Sequence, residues 1–293
     1  MLHHSDWEKK AADVSYLLNN KNDVLCNIPL LFLIMNTSES SYWGSVGRTH
    51  PEQPLFNSSY LGNKDIVSSF EWPTLILALE DLNLEEFPDL GELPTLKRLS
   101  LSGNFLDKCE RDWAYGLPKL HDLDLARNRF RNLNLSQISS DLSLRRIDLK
   151  SNLISKVFTS LSDHFPALND LRLPRNQIDD EAFKNLTHLF DALPNLKSLD
   201  LNRNLIRRPQ SLKFKNLTNL SVLKLKRNKI EELPDGLFYG LSSLTTLRLD
   251  NNTNITEISN GWLFEQRALK ILSLSHNNIG IIKENAWETT TKI

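Results

Sequence analysis

One phrase, L-x-x-L-x-L-x-x-N, recurs eight times in this 293-residue chain and restricts its fold more than any other feature. The first copy begins at Leu96 and the last at Leu269. Their asparagines are 24 residues apart, except for one interval of 28 and one of 25. A degenerate copy with Leu82 at the asparagine position precedes them. The recurring asparagines are Asn104, Asn128, Asn152, Asn176, Asn204, Asn228, Asn252 and Asn277.

The leucines of the phrase alternate with variable residues, which is the period-two pattern of a short strand with one apolar side. A single strand of this kind cannot bury its leucines, so neighbouring copies must stack and cover them. The phrase therefore predicts an α/β leucine-rich-repeat solenoid. This is a curved right-handed superhelix with parallel strands on its concave face.

Each recurring asparagine ends a strand where the chain bends inward. Its amide can bond backbone groups of its own and adjacent turns, and a buried unpaired amide would cost about 1–3 kcal/mol. We therefore predict a ladder of structural asparagines. In the 28-residue interval, apolar residues from Phe183 to Leu193 have helical spacing after Asp179. This spacing predicts a convex helix there and mostly irregular return segments elsewhere.

The repeats also predict how the chain is divided. Residues 74–288 form the repeat array of about eight to nine repeats, and residues 289–293 form a truncated tail. Residues 1–73 do not repeat and are predicted to be irregular and partly disordered, with a capped helix at residues 5–20. The chain stops within a repeat, so we expect it to be an incomplete product of a longer protein.

No pattern in the chain predicts catalysis. The seven histidines and the two cysteines, Cys26 and Cys109, fit no metal-binding spacing, so neither a metal nor a cofactor is predicted. Glycine-rich phosphate loops and nucleophile elbows are absent from the sequence. The net charge of −1 gives no reason to expect nucleic-acid binding, and no apolar stretch is long enough to span a membrane. We therefore expect a binding module and not an enzyme.

The five variable positions of each phrase, written x in L-x-x-L-x-L-x-x-N and called slots here, carry a net positive charge. The eight good repeats hold fifteen basic and six acidic residues in these slots, a net charge of +9, which leaves −10 for the rest of the chain. This segregation predicts a basic concave face that binds an acidic protein surface or a sulfated glycan, although charged residues can also serve only solubility. The candidate partner-binding residues are Arg127, Lys150, Arg172, Arg175, Arg203, Lys224, Lys226, Arg227 and Arg248.

Sequons of the form N-x-[ST] are about twice as frequent as chance predicts for this composition. They matter only if the chain is secreted, because N-glycosylation takes place in the secretory pathway. A glycan on a return segment would leave the concave face clear. The predicted glycosylation sites are Asn134, Asn185, Asn216 and Asn254.

Several stretches resemble the leucine-rich repeats and immunoglobulin-like domains proteins. The matching stretches are LKSLDLNRNLIRRPQSLKFKNLTNLSVLKLKRNKI at residues 196–230, GWLFEQRALKILSLSHNNIGII at residues 261–282, and the ending NAWE at residues 285–288. The resemblance implies a cell-surface protein with a signal peptide, cysteine-rich caps, three immunoglobulin-like domains and one membrane span. Several members restrain growth-factor receptor kinases through the ectodomain. The chain departs from this pattern because cap cysteines are missing and no immunoglobulin-like domain follows the repeats.

Three functional readings follow from these observations. The first is an extracellular, glycosylated repeat module that binds a receptor ectodomain or a sulfated glycan and modulates growth-factor receptor kinase signalling. The second is an intracellular leucine-rich-repeat scaffold or regulatory subunit, which fits the missing caps and the lack of a clear signal peptide. The third is a regulator that wraps a hydrolase. The sequence leaves all three open and does not identify the partner.

Overall fold

The computed structural model describes residues 75–109, 113–139, 144–159, 164–209 and 214–287. The predicted irregular segment at residues 1–73 and the tail at residues 289–293 lie outside these ranges. The bounds of the repeat array therefore stay a prediction.

Each copy of the phrase forms a three-residue strand, and nine of these strands pair side by side in one parallel sheet. Equivalent residues align from turn to turn, so that Leu99 pairs with Leu123 and Leu223 pairs with Leu247. The fold predicted from the repeats, a parallel-strand leucine-rich-repeat solenoid, is confirmed. The sheet strands, in spatial order, are β1 (Ile76–Ala78), β2 (Arg98–Ser100), β3 (Asp122–Asp124), β5 (Arg146–Asp148), β7 (Asp170–Arg172), β8 (Ser198–Asp200), β9 (Val222–Lys224), β10 (Thr246–Arg248) and β12 (Ile271–Ser273).

The degenerate copy is the first strand of this sheet. Its β1 pairs in register with β2. The backbone N–H groups of Leu82 and Leu84 both donate to the side-chain oxygen of Asn104, at 3.0 and 3.1 Å. The first good repeat therefore supplies the amide that satisfies the turn without an asparagine of its own.

The predicted convex helix is present as α2 (Asp180–Leu189) and continues into a 3₁₀ turn at Phe190–Ala192. Asp179 caps the helix by accepting a 2.9 Å hydrogen bond from the backbone N–H of Ala182. The other return segments contain more regular structure than predicted. They contain α1 (Leu135–Ser139) and two small parallel sheets, one formed by β4 (Asn132–Asn134) with β6 (Lys156–Phe158) and the other by β11 (Glu257–Ile258) with β13 (Ile281–Ile282).

The core lies between the sheet and the return segments. The leucines of the phrase fill it from the strand side, and aromatic rings stack from turn to turn on the convex side. Phe214 lies 5.6 Å from Phe190 and 6.1 Å from Phe238, measured between ring centroids, and Trp262 lies 6.3 Å from Phe238. Trp262 stands ten residues after Asn252, the position at which the other turns carry a core residue. It is fully buried.

The recurring asparagines connect adjacent turns through their amides. The Asn176 Nδ2 group donates to the carbonyl of Leu173 in its own turn and to that of Leu149 in the preceding turn, both at 3.0 Å. Its Oδ1 atom accepts a 3.0 Å hydrogen bond from the backbone N–H of Ile154. Because Asn176 is buried, these three backbone groups have no water to replace the amide. Equivalent donor bonds recur at Asn104, Asn128, Asn152, Asn204, Asn228, Asn252 and Asn277.

Replacing a ladder asparagine should destabilise the array more than replacing a surface asparagine. We expect Asn176→Ala to lower the free energy of unfolding by about 2 kcal/mol or more, because it strands buried backbone groups in two turns. Asn195 is the matched control. It is exposed and donates one 2.9 Å bond to the carbonyl of Pro166, so Asn195→Ala should cost less than about 1 kcal/mol. Urea melts measure both values, and equal midpoints for the two variants would contradict the ladder.

Candidate binding surface

The outward slots of the strands form the floor of the concave face, and their charges balance. Each good repeat has two such slots, the first and last residues of its strand. Over the eight good repeats these slots hold five basic residues (Arg98, Arg146, Arg172, Lys224 and Arg248) and five acidic residues (Asp122, Asp124, Asp148, Asp170 and Asp200). The predicted excess of positive charge therefore does not lie on the floor. It lies in the slots that flank the strands on either side.

Most of the floor charges pair across neighbouring strands. Arg98 bonds Asp122 at 2.9 Å, and Lys224 lies 3.3 Å from Asp200. Asp170 accepts hydrogen bonds from the guanidinium groups of both Arg146 and Arg172, at 2.9 and 3.0 Å. Since these cations already have acidic partners, they offer an approaching ligand little uncompensated charge.

The slot just before each asparagine has a left-handed backbone. The φ angle is 56° at Arg127, 58° at Arg175, 57° at Arg203 and 56° at Arg227. Residues other than glycine and asparagine disfavour this conformation. Asn251 occupies the equivalent slot with a φ angle of 58°. The turn requires the backbone angle, but nothing in the turn requires arginine.

Three of these arginines form what we call the arginine ridge: Arg175, Arg203 and Arg227. They follow the adjacent strands β7, β8 and β9, and all three side chains are exposed. None of them has an ion pair with another residue in the described ranges. Arg127 holds the same slot but lies 3.1 Å from Asp81. The neighbouring charge of Arg227, followed by burial and the charge of Arg175, lowers the pKa of Arg203.

The other predicted partner-binding residues fall into two groups. Lys150 and Arg248 are exposed, and Lys226 is half-buried with its backbone N–H donating to the Asn202 side chain at 2.7 Å. Arg172 and Lys224 belong to the paired floor. The structure thus brings the ridge, Lys226 and Arg248 together on adjacent turns, and it separates them from the cations that stabilise the sheet.

Two half-buried carboxylates of the concave face, Glu80 and Asp124, have no ion pair with another described residue, whereas Asp148 lies 3.6 Å from Arg172. The pKa of Asp124 is raised to about 6, mainly by burial and also by the charges of Asp148 and Glu80, against the lowering effects of a 2.8 Å hydrogen bond from the Ala126 N–H and of the charge of Arg127. Burial likewise raises the pKa of Asp148. Glu80 belongs to the degenerate repeat. The charge count over the eight good repeats therefore does not include it.

Asp124 should make the array more stable in mild acid. Its pKa is higher in the folded chain, at about 6, than its ordinary value of 3.8, so the folded state binds the proton more tightly. This group therefore lowers stability as pH rises from about 4 to 6, and the loss persists above pH 6. Asp124→Asn should raise the free energy of unfolding at pH 7 by roughly 1 kcal/mol and flatten its dependence on pH between 4 and 6.

Urea melts across this pH range measure the effect. The control is Asp200→Asn, which removes the ion-pair partner of Lys224 and should not stabilise the chain at pH 7. A wild-type stability that is flat between pH 4 and 7 would contradict the raised pKa that burial gives Asp124.

The predicted glycosylation sites differ in exposure. Asn216 and Asn254 are exposed in return segments, away from the strands. Asn134 is half-buried and accepts a hydrogen bond from the backbone N–H of Gln137 at 3.3 Å. Asn185 is half-buried within α2, and the hydroxyl of Thr187 in its sequon is buried against the Lys184 carbonyl. Glycosylation of all four sites stays a prediction, and Asn216 and Asn254 are the most accessible of them.

Two features are absent from the described ranges, a metal-binding cluster and a membrane-spanning helix. No group of three or more His, Cys, Asp or Glu side chains in them is arranged to hold a metal ion. No helix in the same ranges is long and apolar enough to cross a membrane.

Comparison with known proteins identifies the repeat. The leucine-rich-repeat family model matches residues 94–140, 194–253 and 244–292. Comparison with curated protein sequences finds no match. The comparisons give no support for immunoglobulin-like domains in this chain.

Solved structures with the same fold include receptors in complex with ligands. Toll in the Drosophila Toll–Spatzle complex is 23% identical with a TM-score of 0.65, and the match covers 77% of this chain and 29% of that chain. The glycosylated form of the complex is 23% identical with a TM-score of 0.62, and the match covers 73% of this chain and 28% of that chain. A chain in a TLR13–ssRNA13 complex is 23% identical with a TM-score of 0.58, and the match covers 74% of this chain and 35% of that chain.

The chain spans only about a third of the length of these proteins, and at this identity the likeness concerns the fold alone. The family match and the nine parallel strands agree with each other and with the spacing of the asparagines. The chain therefore carries leucine-rich repeats and folds as a leucine-rich-repeat solenoid.

Proposed function

We propose that this solenoid is a protein-binding module and that its partner places an acidic surface against the arginine ridge. The observation that carries the proposal is the lack of compensation at Arg175, Arg203 and Arg227. The floor cations next to them have acidic partners, whereas the ridge arginines repel one another across adjacent turns. An acidic partner would relieve this repulsion.

The choice of residue supports the same proposal. Arginine presents a planar fork of donors that matches a carboxylate in two-point hydrogen bonding. At a left-handed position, glycine or asparagine would fit the turn better, and Gly103 and Asn251 hold this slot in other turns. Three arginines at such positions on adjacent turns therefore favour a role in recognition over a role in folding.

The finer proposal concerns the partner and the location. The resemblance to leucine-rich repeats and immunoglobulin-like domains proteins supports a cell-surface location and a growth-factor receptor ectodomain as the partner. Toll in complex with Spatzle is a precedent for a protein ligand on this fold. The exposed sequons at Asn216 and Asn254 fit a secreted chain. No feature of the site supports catalysis, so we propose binding without enzymatic activity.

Removing the ridge charges should weaken binding without unfolding the array. We propose the triple variant Arg175→Asn, Arg203→Asn and Arg227→Asn, because asparagine tolerates the left-handed backbone. Its urea midpoint should equal or exceed that of the wild type. Its association rate with an acidic receptor ectodomain should fall about tenfold at low salt, and its salt dependence should become shallower.

The matched control is Arg131→Asn, Lys156→Asn and Lys229→Asn. These three exposed cations lie on return segments, outside the nine-stranded sheet, and none has an ion pair in the described ranges. This control changes the net charge by the same amount. Surface plasmon resonance with a panel of growth-factor receptor ectodomains, heparin and single-stranded RNA compares the two triples. An equal effect of both triples on every probe would exclude the ridge as the binding site. A ridge effect confined to RNA would exclude a protein partner.

A further inference from the structure

The charges of the concave side that have no ion pair in the described ranges are mostly negative on the turns of β1 to β3 and mostly positive on the turns of β7 to β10. The exceptions are Lys97, next to β2, and Asp250, next to β10. The ridge, together with Lys226 and Arg248, places positive charge on the turns of β7 to β10. The turns of β1 to β3 instead carry uncompensated carboxylates at Glu80 and Asp124, which we call the acidic end. Paired charges, such as Arg127 with Asp81, do not contribute to either end.

Both carboxylates of the acidic end are half-buried and accept hydrogen bonds from neighbouring groups. Glu80 accepts a 2.6 Å hydrogen bond from the Ser100 hydroxyl, and Asp124 accepts one from the Ala126 N–H. Neither carboxylate has an ion pair with another described residue. The charges of Glu80 and Asp148 both act on Asp124, so the carboxylates repel one another as the ridge arginines do.

The two ends are separated by a defined number of strands. From β1 to β9 the sheet has six strand spacings. At about 4.8 Å each, this separates Glu80 from Arg227 by roughly 29 Å along the sheet. A helix of about 20 residues has nearly this length, at 1.5 Å per residue.

We propose that the concave side is a bipolar docking surface for a protein segment with basic side chains at one end and acidic side chains at the other. The basic end of the segment lies over Glu80 and Asp124, and the acidic end lies over the arginine ridge. The inference rests on the proposed function and adds the orientation of the partner. A uniformly acidic chain such as heparin would meet the ridge favourably but would be repelled by the acidic end.

Three synthetic peptides of about 20 residues test the proposal on the full chain. One has a lysine-rich half and a glutamate-rich half, a second alternates lysine and glutamate, and a third contains only glutamate as its charged residue. The first two have the same net charge and differ only in pattern. We expect the block peptide to bind more tightly than the alternating peptide.

The double variant Glu80→Gln and Asp124→Asn separates a bipolar ligand from a polyanion. Glutamine can still accept the hydrogen bond from Ser100, so this contact remains possible. The variant should weaken binding of the block peptide about threefold and strengthen binding of the all-glutamate peptide and of heparin. The control, Glu85→Gln and Asp107→Asn, removes two exposed carboxylates past the strands of the same region and should leave the block peptide unaffected.

The outcomes also distinguish this inference from the proposed function. If the ridge triple weakens the all-glutamate peptide while the double variant strengthens the block peptide, the bipolar inference is wrong and the acidic-partner proposal stands. If the ridge triple has no effect on any peptide, both proposals fail. Sedimentation of the chain alone checks for a second copy as the occupant. Self-association that the double variant abolishes would replace the partner segment with a dimer.

Discussion

The hydrogen bonds of the asparagine ladder are the interaction on which the rest of the solenoid depends. Each buried amide satisfies backbone groups in two turns at once, as Asn176 does with Leu149, Leu173 and Ile154. Leucine burial brings the turns together, but it is non-directional and would tolerate shifted stacking. The ladder supplies the direction, because an amide in the wrong position would leave buried donors and acceptors unpaired. Strand register, and with it the position of every outward side chain, follows from this requirement.

The same turn links the fold to the proposed site. The chain bends into the core at each asparagine, and the preceding residue takes a left-handed backbone at every good repeat, including Gly103, Ser151 and His276. This residue does not contribute to the leucine core, so its side chain can vary without loss of the core. Arginines occupy it on the turns of β7, β8 and β9, which places Arg175, Arg203 and Arg227 next to one another.

Charge on the concave side thus has two physical roles that composition does not separate. Pairs such as Arg98 with Asp122 connect neighbouring strands and contribute modestly, since half-exposed ion pairs are worth little in water. Groups without partners, such as Arg203 and Asp124, are held near like charges and oppose folding slightly. Repulsion of this kind within a stable scaffold is typical of recognition surfaces, where a partner supplies the missing countercharge.

The sequence by itself determined the fold, because a 24-residue period of leucines and asparagines allows only a stack of short parallel strands. It also predicted the helix at Asp180–Leu189 from its cap and spacing. It could not determine which charges matter. The charges counted in the slots gave an excess of +9. This count could not show that Arg172 is paired while Arg175, three residues later, has no ion pair in the described part of the chain. Ion pairing joins residues about 24 positions apart and depends on distances of a few ångströms, which only the stacked turns establish.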